Sequence, residues 1–200
     1  STQQKEKIRD GLLLPGAEFL MEHRHMQLHN HEVIINSAIA IIGLIFGKEE
    51  LVKEAVYEKY GLLYQLEHGM LSNHMWFEGA FGYHFYALTS FFAYEKFALH
   101  TPHSHIHHPN YKAMMELLFS YLEPGFRVPM LNDTNYGHTS SIYYLYEFAY
   151  REIGGDKLLY VLRELYKDEA RDNLEAFIYG VDDLPPCDIV PTGNHIEEGS

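Results

Sequence analysis

A chain of 200 residues with 46% hydrophobic content is long enough to bury a core, and composition fits one compact domain. A net charge of -13 with His neutral argues against nucleic acid or an anionic membrane as partner, and the longest apolar stretch, Ala38 to Phe46, is far too short to span a bilayer. A single cysteine, Cys187, excludes an internal disulfide framework and leaves the compartment open.

The pattern reads as helix after helix. Residues 5–23 carry Ile8, Leu12, Ala17 and Leu20 at helical spacing, with a kink or break expected at Pro15. Residues 31–46 are almost uniformly apolar, which predicts a buried helix stopped by Gly47. Residues 48–68 open with Glu49 and Glu50, suited to a helix N-terminus, and predict one further helix. An irregular stretch, 69–79, precedes a long aromatic helix over 80–99. Residues 101–109 form a His-rich loop between Pro102 and Pro109. A helix capped by Asn110 is predicted over 110–122, then an extended loop over 123–139. Helices are expected again at 140–153, capped by Ser140 or Ser141, and at 156–179. The tail, 181–200, with Pro185, Pro186 and Pro191, is expected to be irregular. No strand periodicity appears, so the predicted fold class is all-α, with antiparallel helical hairpins over 1–180. Ser1 at the start and Gly199-Ser200 at the end read as an excised or processed product.

Two helix starts carry unusual polar clusters. His29-Asn30-His31-Glu32 leads directly into the most apolar helix. An Asn30 cap with a dipole-favoured Glu32 explains part of this, but capping needs only one short polar residue. The second cluster is Trp76 to Leu88, in which Gly79 and Gly82 permit a turn or close approach and Tyr83 and His84 fall near a first helical turn. The positive field there favours phenolate and neutral imidazole, the sign a tyrosine base needs. Aromatic packing at a helix start is the competing explanation.

The run WFEGAFGYHFYAL, residues 76–88, resembles the Glu-Gly…Gly-Tyr-His-x-Tyr signature of heparinase II/III-like polysaccharide lyases. Asn30-His31 is similar to the Asn-His element that faces it in that family, and QLEHG (65–69) and PMLND (129–133) are similar in kind to family segments. The resemblance extends over residues 5–135. It implies that the helices form part of an (α/α) toroid, followed in the full-length protein by a β-sheet domain, and that no metal or other cofactor takes part. A bacterial protein is implied, whether secreted, periplasmic or cytoplasmic.

The reaction so implied is β-elimination at a uronic acid of an acidic polysaccharide, heparin-, heparan-sulfate- or alginate-like. A base takes the C5 proton, and the C4–O bond breaks to leave an unsaturated sugar. Donors on the carboxylate stabilise the enolate-like transition state more than the ground state. The resemblance gives that role to Asn30 and His31. Tyr83 matches the catalytic tyrosine, which removes the C5 proton or protonates the leaving oxygen, with His31 the alternative base. Glu32, Glu78, His84 and Asp133 are the candidate substrate-binding residues. Glu78 equally suits a turn that holds the Tyr83 loop, and Asp133 an Asx-turn. With an acidic chain and an anionic substrate, local donors must come from the 14 His and the few Arg, among them Arg24, Arg127 and Arg171. Family members add a second catalytic His and an Arg, and residues 140–200 offer no clear counterpart.

Three other readings compete. His100, His103, His105, His107 and His108 suggest zinc or nickel, though no Cys or carboxylate lies between them. Glu78 and Asp133 suggest a glycoside hydrolase, which leaves Asn30-His31 and Tyr83-His84 unexplained. A non-catalytic carbohydrate-binding fragment would bind uronates without releasing product.

Overall fold

The computed structural model describes residues 1–123, 127–134 and 142–191, and these group into two compact units. Residues 1–70 and 86–105 make the first, and residues 71–85 and 106–200 the second. Regular structure is helical throughout, and no strand forms among the described residues; Glu123 and Arg127 make an isolated antiparallel bridge.

In the first unit, α1 (Thr2–Ile8) passes through a π-helical turn at Arg9–Leu13 into α2 (Leu14–Glu22). The expected break near Pro15 takes this form. Leu14 N–H reaches five residues back to Arg9, and Pro15, without an N–H to donate, falls in the first turn of α2. Helix α3 (Asn30–Phe46) ends at Gly47 in the left-handed conformation (φ 61°). It packs on α2, on α4 (Glu49–Val52) and on α5 (Leu62–His68), burying Val33, Ile39 and Ala40. Gly43 permits the close approach of α4, because a Cβ there would lie 2.8 Å from Val52 Cγ2.

The single helix expected over 48–68 is instead α4, a second π-helical turn (Lys53–Tyr57) and α5. Tyr60 between them takes a positive φ of 67°. Its carbonyl accepts from Asn36 Nδ2 (2.8 Å), 24 residues away, and from Gln65 Nε2 (3.1 Å), and these side chains hold the break.

Helix α6 (Phe81–Ala98) gives its first turn to the second unit and the remainder, from Tyr86, to the first. In the first unit Ser37 Oγ donates to the Ser90 carbonyl at 2.7 Å. In the second unit Phe81 packs with Met75, Leu117 and Tyr121. There α7 (Pro109–Tyr121) and α8 (Tyr143–Ile153) pack on α9 (Asp156–Leu165), and α10 (Leu174–Tyr179) packs on α8. The helix predicted over 156–179 is thus divided into α9 and α10. Residues 181–191 carry no regular structure, and the Ser140/Ser141 cap and residues 192–200 lie outside the described residues.

Candidate active site

At the start of α3 the cap is His29, not Asn30. His29 is extended (φ -168°, ψ 144°) and its Nδ1 accepts from His31 N–H at 3.1 Å, while Asn30 is already the first helical residue. Glu32, expected to face substrate, is fully buried. One carboxylate oxygen pairs with Arg24 Nε at 2.8 Å, and the other accepts from the backbone N–H of His25 (2.8 Å) and Met26 (3.3 Å). A charge taken from water needs this many donors, and Glu32 spends them fastening residues 24–26 to α3. Gln65, also fully buried, adds a second fastening: Oε1 accepts from His29 N–H (3.1 Å) and Nε2 donates to the Gln27 carbonyl (2.7 Å). So the polar residues that lead into α3 hold their own loop.

What this loop presents is Asn30 and a group of rings. Asn30 is 3% exposed, and its Oδ1 has no partner among the described residues; Arg24 Nη2 and Asn36 Oδ1, beside the same carboxylate, also lack one. Buried polar atoms without partners are rare enough to mark a place for water or ligand. The rings of His29 and His31 lie 4.8 Å apart, with His25 at 6.4 Å from His31 and Tyr86 at 6.1 Å. His25, His31 and Tyr86 are exposed.

At the start of α6 the arrangement is different. Tyr83 stands on the first turn, 36% exposed, and its hydroxyl donates to Asp133 Oδ2 at 2.7 Å. The loop carrying Asp133 is clamped on either side of it. Asn132 Nδ2 donates to the Gly79 carbonyl (2.8 Å), and Phe81 N–H, a helix-terminal donor without an intrahelical acceptor, donates to Thr134 Oγ1 (2.9 Å). Gly79 has a positive φ of 70°, and a Cβ there would lie 2.5 Å from Asn132 Nδ2. Glu78 Oε2 accepts from the Trp76 indole N–H at 2.6 Å, a turn-holding contact.

His84, another of the four substrate-binding candidates, does not reach solvent. Its Nδ1 accepts from Trp76 N–H and its Nε2 donates to the Met114 carbonyl, each at 3.1 Å, which uses both nitrogens of one neutral tautomer. Burial pushes its pKa down to about 4, so the neutral form follows from desolvation rather than from the helix dipole. For Tyr83 the dipole argument gives the wrong sign. Its hydrogen bond to Asp133, then the Asp133 charge, then desolvation and Glu78 raise the phenol above its ordinary value.

In the His-rich loop, His103 Nδ1 meets Tyr57 Oη at 3.0 Å and Nε2 lies 3.5 Å from Glu49, while Glu95 accepts from Ser104 Oγ and His105 N–H. No group of three or more His, Cys, Asp or Glu among the described residues is arranged to hold a metal ion. Sequence reasoning placed Arg24 only among candidate substrate donors, and Gln65 and Asn132 only in family-like segments. It missed that Arg24 and Gln65 brace the α3 loop and that Asn132 and Thr134 clamp the Asp133 loop. Their signal, short polar residues flanking Asp133 and a glutamine in a helix, is shared with ordinary turns and surfaces.

No protein-family model, curated protein or solved structure matches the chain.

Proposed function

We propose that the chain is the helical portion of a polysaccharide lyase of the heparinase II/III type, an arc of an (α/α) toroid that cleaves an acidic, uronate-containing polysaccharide by β-elimination. The observation that carries this is Tyr83: an accessible phenol on the first turn of α6, with its hydroxyl held on a carboxylate by a clamped loop. The start of α3 supports the same reading with the accessible imidazoles of His25 and His31, donors for an anionic sugar in an otherwise acidic chain.

In this mechanism Asn30 donates to the uronate carboxylate, so that the negative charge arriving at C5 is spread onto a neutralised group. His31 is the second donor or the base, and Tyr83 moves a proton at C5 or at the leaving oxygen. Glu32 and His84 act by holding Asn30 and Tyr83 in place. The β-sheet domain, the second His and the Arg belong to the full-length protein in this proposal.

Appearance of the unsaturated product, followed by its ultraviolet absorbance across a panel of uronate polysaccharides with a full-length protein, is the deciding experiment. Tyr83→Phe keeps the ring and removes the hydroxyl, so turnover should fall roughly 100- to 10,000-fold with binding retained. Retention of most of the turnover would make Tyr83 a packing residue. A hydrolase would instead release saturated ends and be abolished by Glu78→Gln.

A further inference from the structure

We propose that the exposed face of the helical segment from α1 to α2 pairs two copies of the chain, antiparallel about a two-fold axis between Leu13 and Leu14. Ile8, Leu12 and Phe19 are 52%, 65% and 59% exposed. With Pro15 they fall at steps of three and four, so they line one face of α1, the π-helical turn and α2. Helix α2 packs on α3 and buries Ala17, whereas none of residues 1–16 is buried. A helix draws most of its stability from packing an apolar face, yet this one continues through Gly11, Pro15 and Gly16, all poor helix formers. A mate on the exposed stripe supplies that packing. The glycines point the same way. A Cβ at Gly11 or Gly16 would meet nothing within 4 Å, so neither serves a close approach within the chain, and both leave room for a second backbone.

Charge selects the occupant and its direction. Over residues 1–22 three cations, Lys5, Lys7 and Arg9, meet four carboxylates, Glu6, Asp10, Glu18 and Glu22, a net of -1 in a chain of net -13. Two acidic copies therefore meet here with little repulsion. Lys5 and Lys7 stand at one end of the stripe, Glu18 and Glu22 at the other. An antiparallel mate brings each basic end to the acidic end of the other copy; a parallel mate sets like on like. The same axis puts Ile8 at the level of Phe19, Leu12 at that of Pro15, and Gly11 at that of Gly16. A two-fold dimer requires such a self-complementary patch, and this pairing stands independently of the reaction.

Sedimentation of the chain over a range of concentrations should show its mass rising from 23.3 kDa toward twice that value. Leu12→Lys, at a site open to solvent, should raise the dimer dissociation constant roughly 30-fold or more, because each substitution enters the interface twice. Leu12→Met should stay near wild type. In a Cys187→Ser background, Ile8→Cys and Phe19→Cys should form a disulfide-linked dimer on oxidation when mixed but not separately, since antiparallel pairing holds like positions roughly 16 Å apart along the axis. A mass of 23.3 kDa throughout would leave the stripe to another segment or partner and overturn the proposal. So would a dimer that survives Leu12→Lys, which is held by some other face. Cross-linking of each cysteine variant with itself would make the pairing parallel and overturn its direction.

Discussion

At the start of α3 the bracing side chains are sunk in the core and held by an ion pair, whereas at the start of α6 Tyr83 stands at the surface against a loop clamped by neutral hydrogen bonds. Arg24 and Glu32 are 3% and 0% exposed in their side chains; Tyr83 is 36% exposed and Asp133 is open to solvent. A buried pair loses a great deal when one partner is removed, since the survivor is a charge without water. An exposed pair loses little stability but exchanges protons freely with solvent. Anchoring therefore falls to the first kind of contact and, under the proposed lyase function, chemistry to the second, so substitutions should separate into stability effects at α3 and activity effects at α6.

The largest stability effect should come from Glu32→Ala. It strands Arg24 and releases the His25 and Met26 N–H groups together, a loss on the order of 3–5 kcal/mol in denaturant unfolding. A loss comparable to that of a surface substitution would mean that the ion pair does not brace the loop.

Next is an acid sensitivity on the α6 side. The folded-state pKa of His84 lies near 4, below its unfolded value of 6.5, so the unfolded chain binds more protons between these values. Stability is then full above pH 6.5 and falls as pH drops toward 4, by about 3 kcal/mol across the window. Unfolding free energies of wild type and His84→Gln, compared between the two pH values, should converge as the solution is acidified. Parallel curves would show that His84 is not buried in its neutral form.

Much of this was legible in the sequence, and the parts that were not share a cause. The bounds of α3 and α6 follow from local signals, an apolar run ended by Gly47 and an aromatic run opened after Gly79. The break at Tyr60 was not legible, because its reason is the convergence of Asn36 and Gln65 on one carbonyl, from 24 and 5 residues away. The same holds for Glu32. Its position in the first turn suggests an ordinary dipole-favoured carboxylate, and only the arrival of Arg24 makes it a core residue. Tyr83 and Asp133 were each picked out by residue type, yet their 2.7 Å contact spans 50 positions, and that contact reverses the sign of the expected phenol shift. Local chemistry chose the residues; tertiary contacts assigned the roles.

A smaller effect should follow Gly79→Ala. Positive φ costs a residue with a Cβ roughly 1–2 kcal/mol, and the new carbon would push Asn132 Nδ2 away from the Gly79 carbonyl. The stability loss should be accompanied by an activity loss larger than Glu32→Ala causes per kcal/mol, because the displaced loop carries Asp133. An activity loss no greater than the change in folded fraction would show that the clamp does not position Tyr83.

The smallest expected effect concerns the cap of α3, and it isolates a role that the sequence gives to the wrong residue. Asparagine is the favoured cap and histidine is not, so Asn30 looks like the start of the helix. In the structure the imidazole Nδ1 of His29 does this work, as that of His108 does for α7, each accepting from the N–H two residues on. His29→Ala removes the acceptor and should cost about 1 kcal/mol, the ordinary worth of a cap. His29→Asn supplies an amide oxygen at the same place and should recover most of it. Asn30→Ala bears on the same turn but not on the cap. It should leave stability near wild type, since Asn30 Oδ1 has no partner among the described residues to lose. If Asn30→Ala costs more stability than His29→Ala, Asn30 belongs to the scaffold of α3, and the contrast between a braced loop and the group it presents fails at that residue.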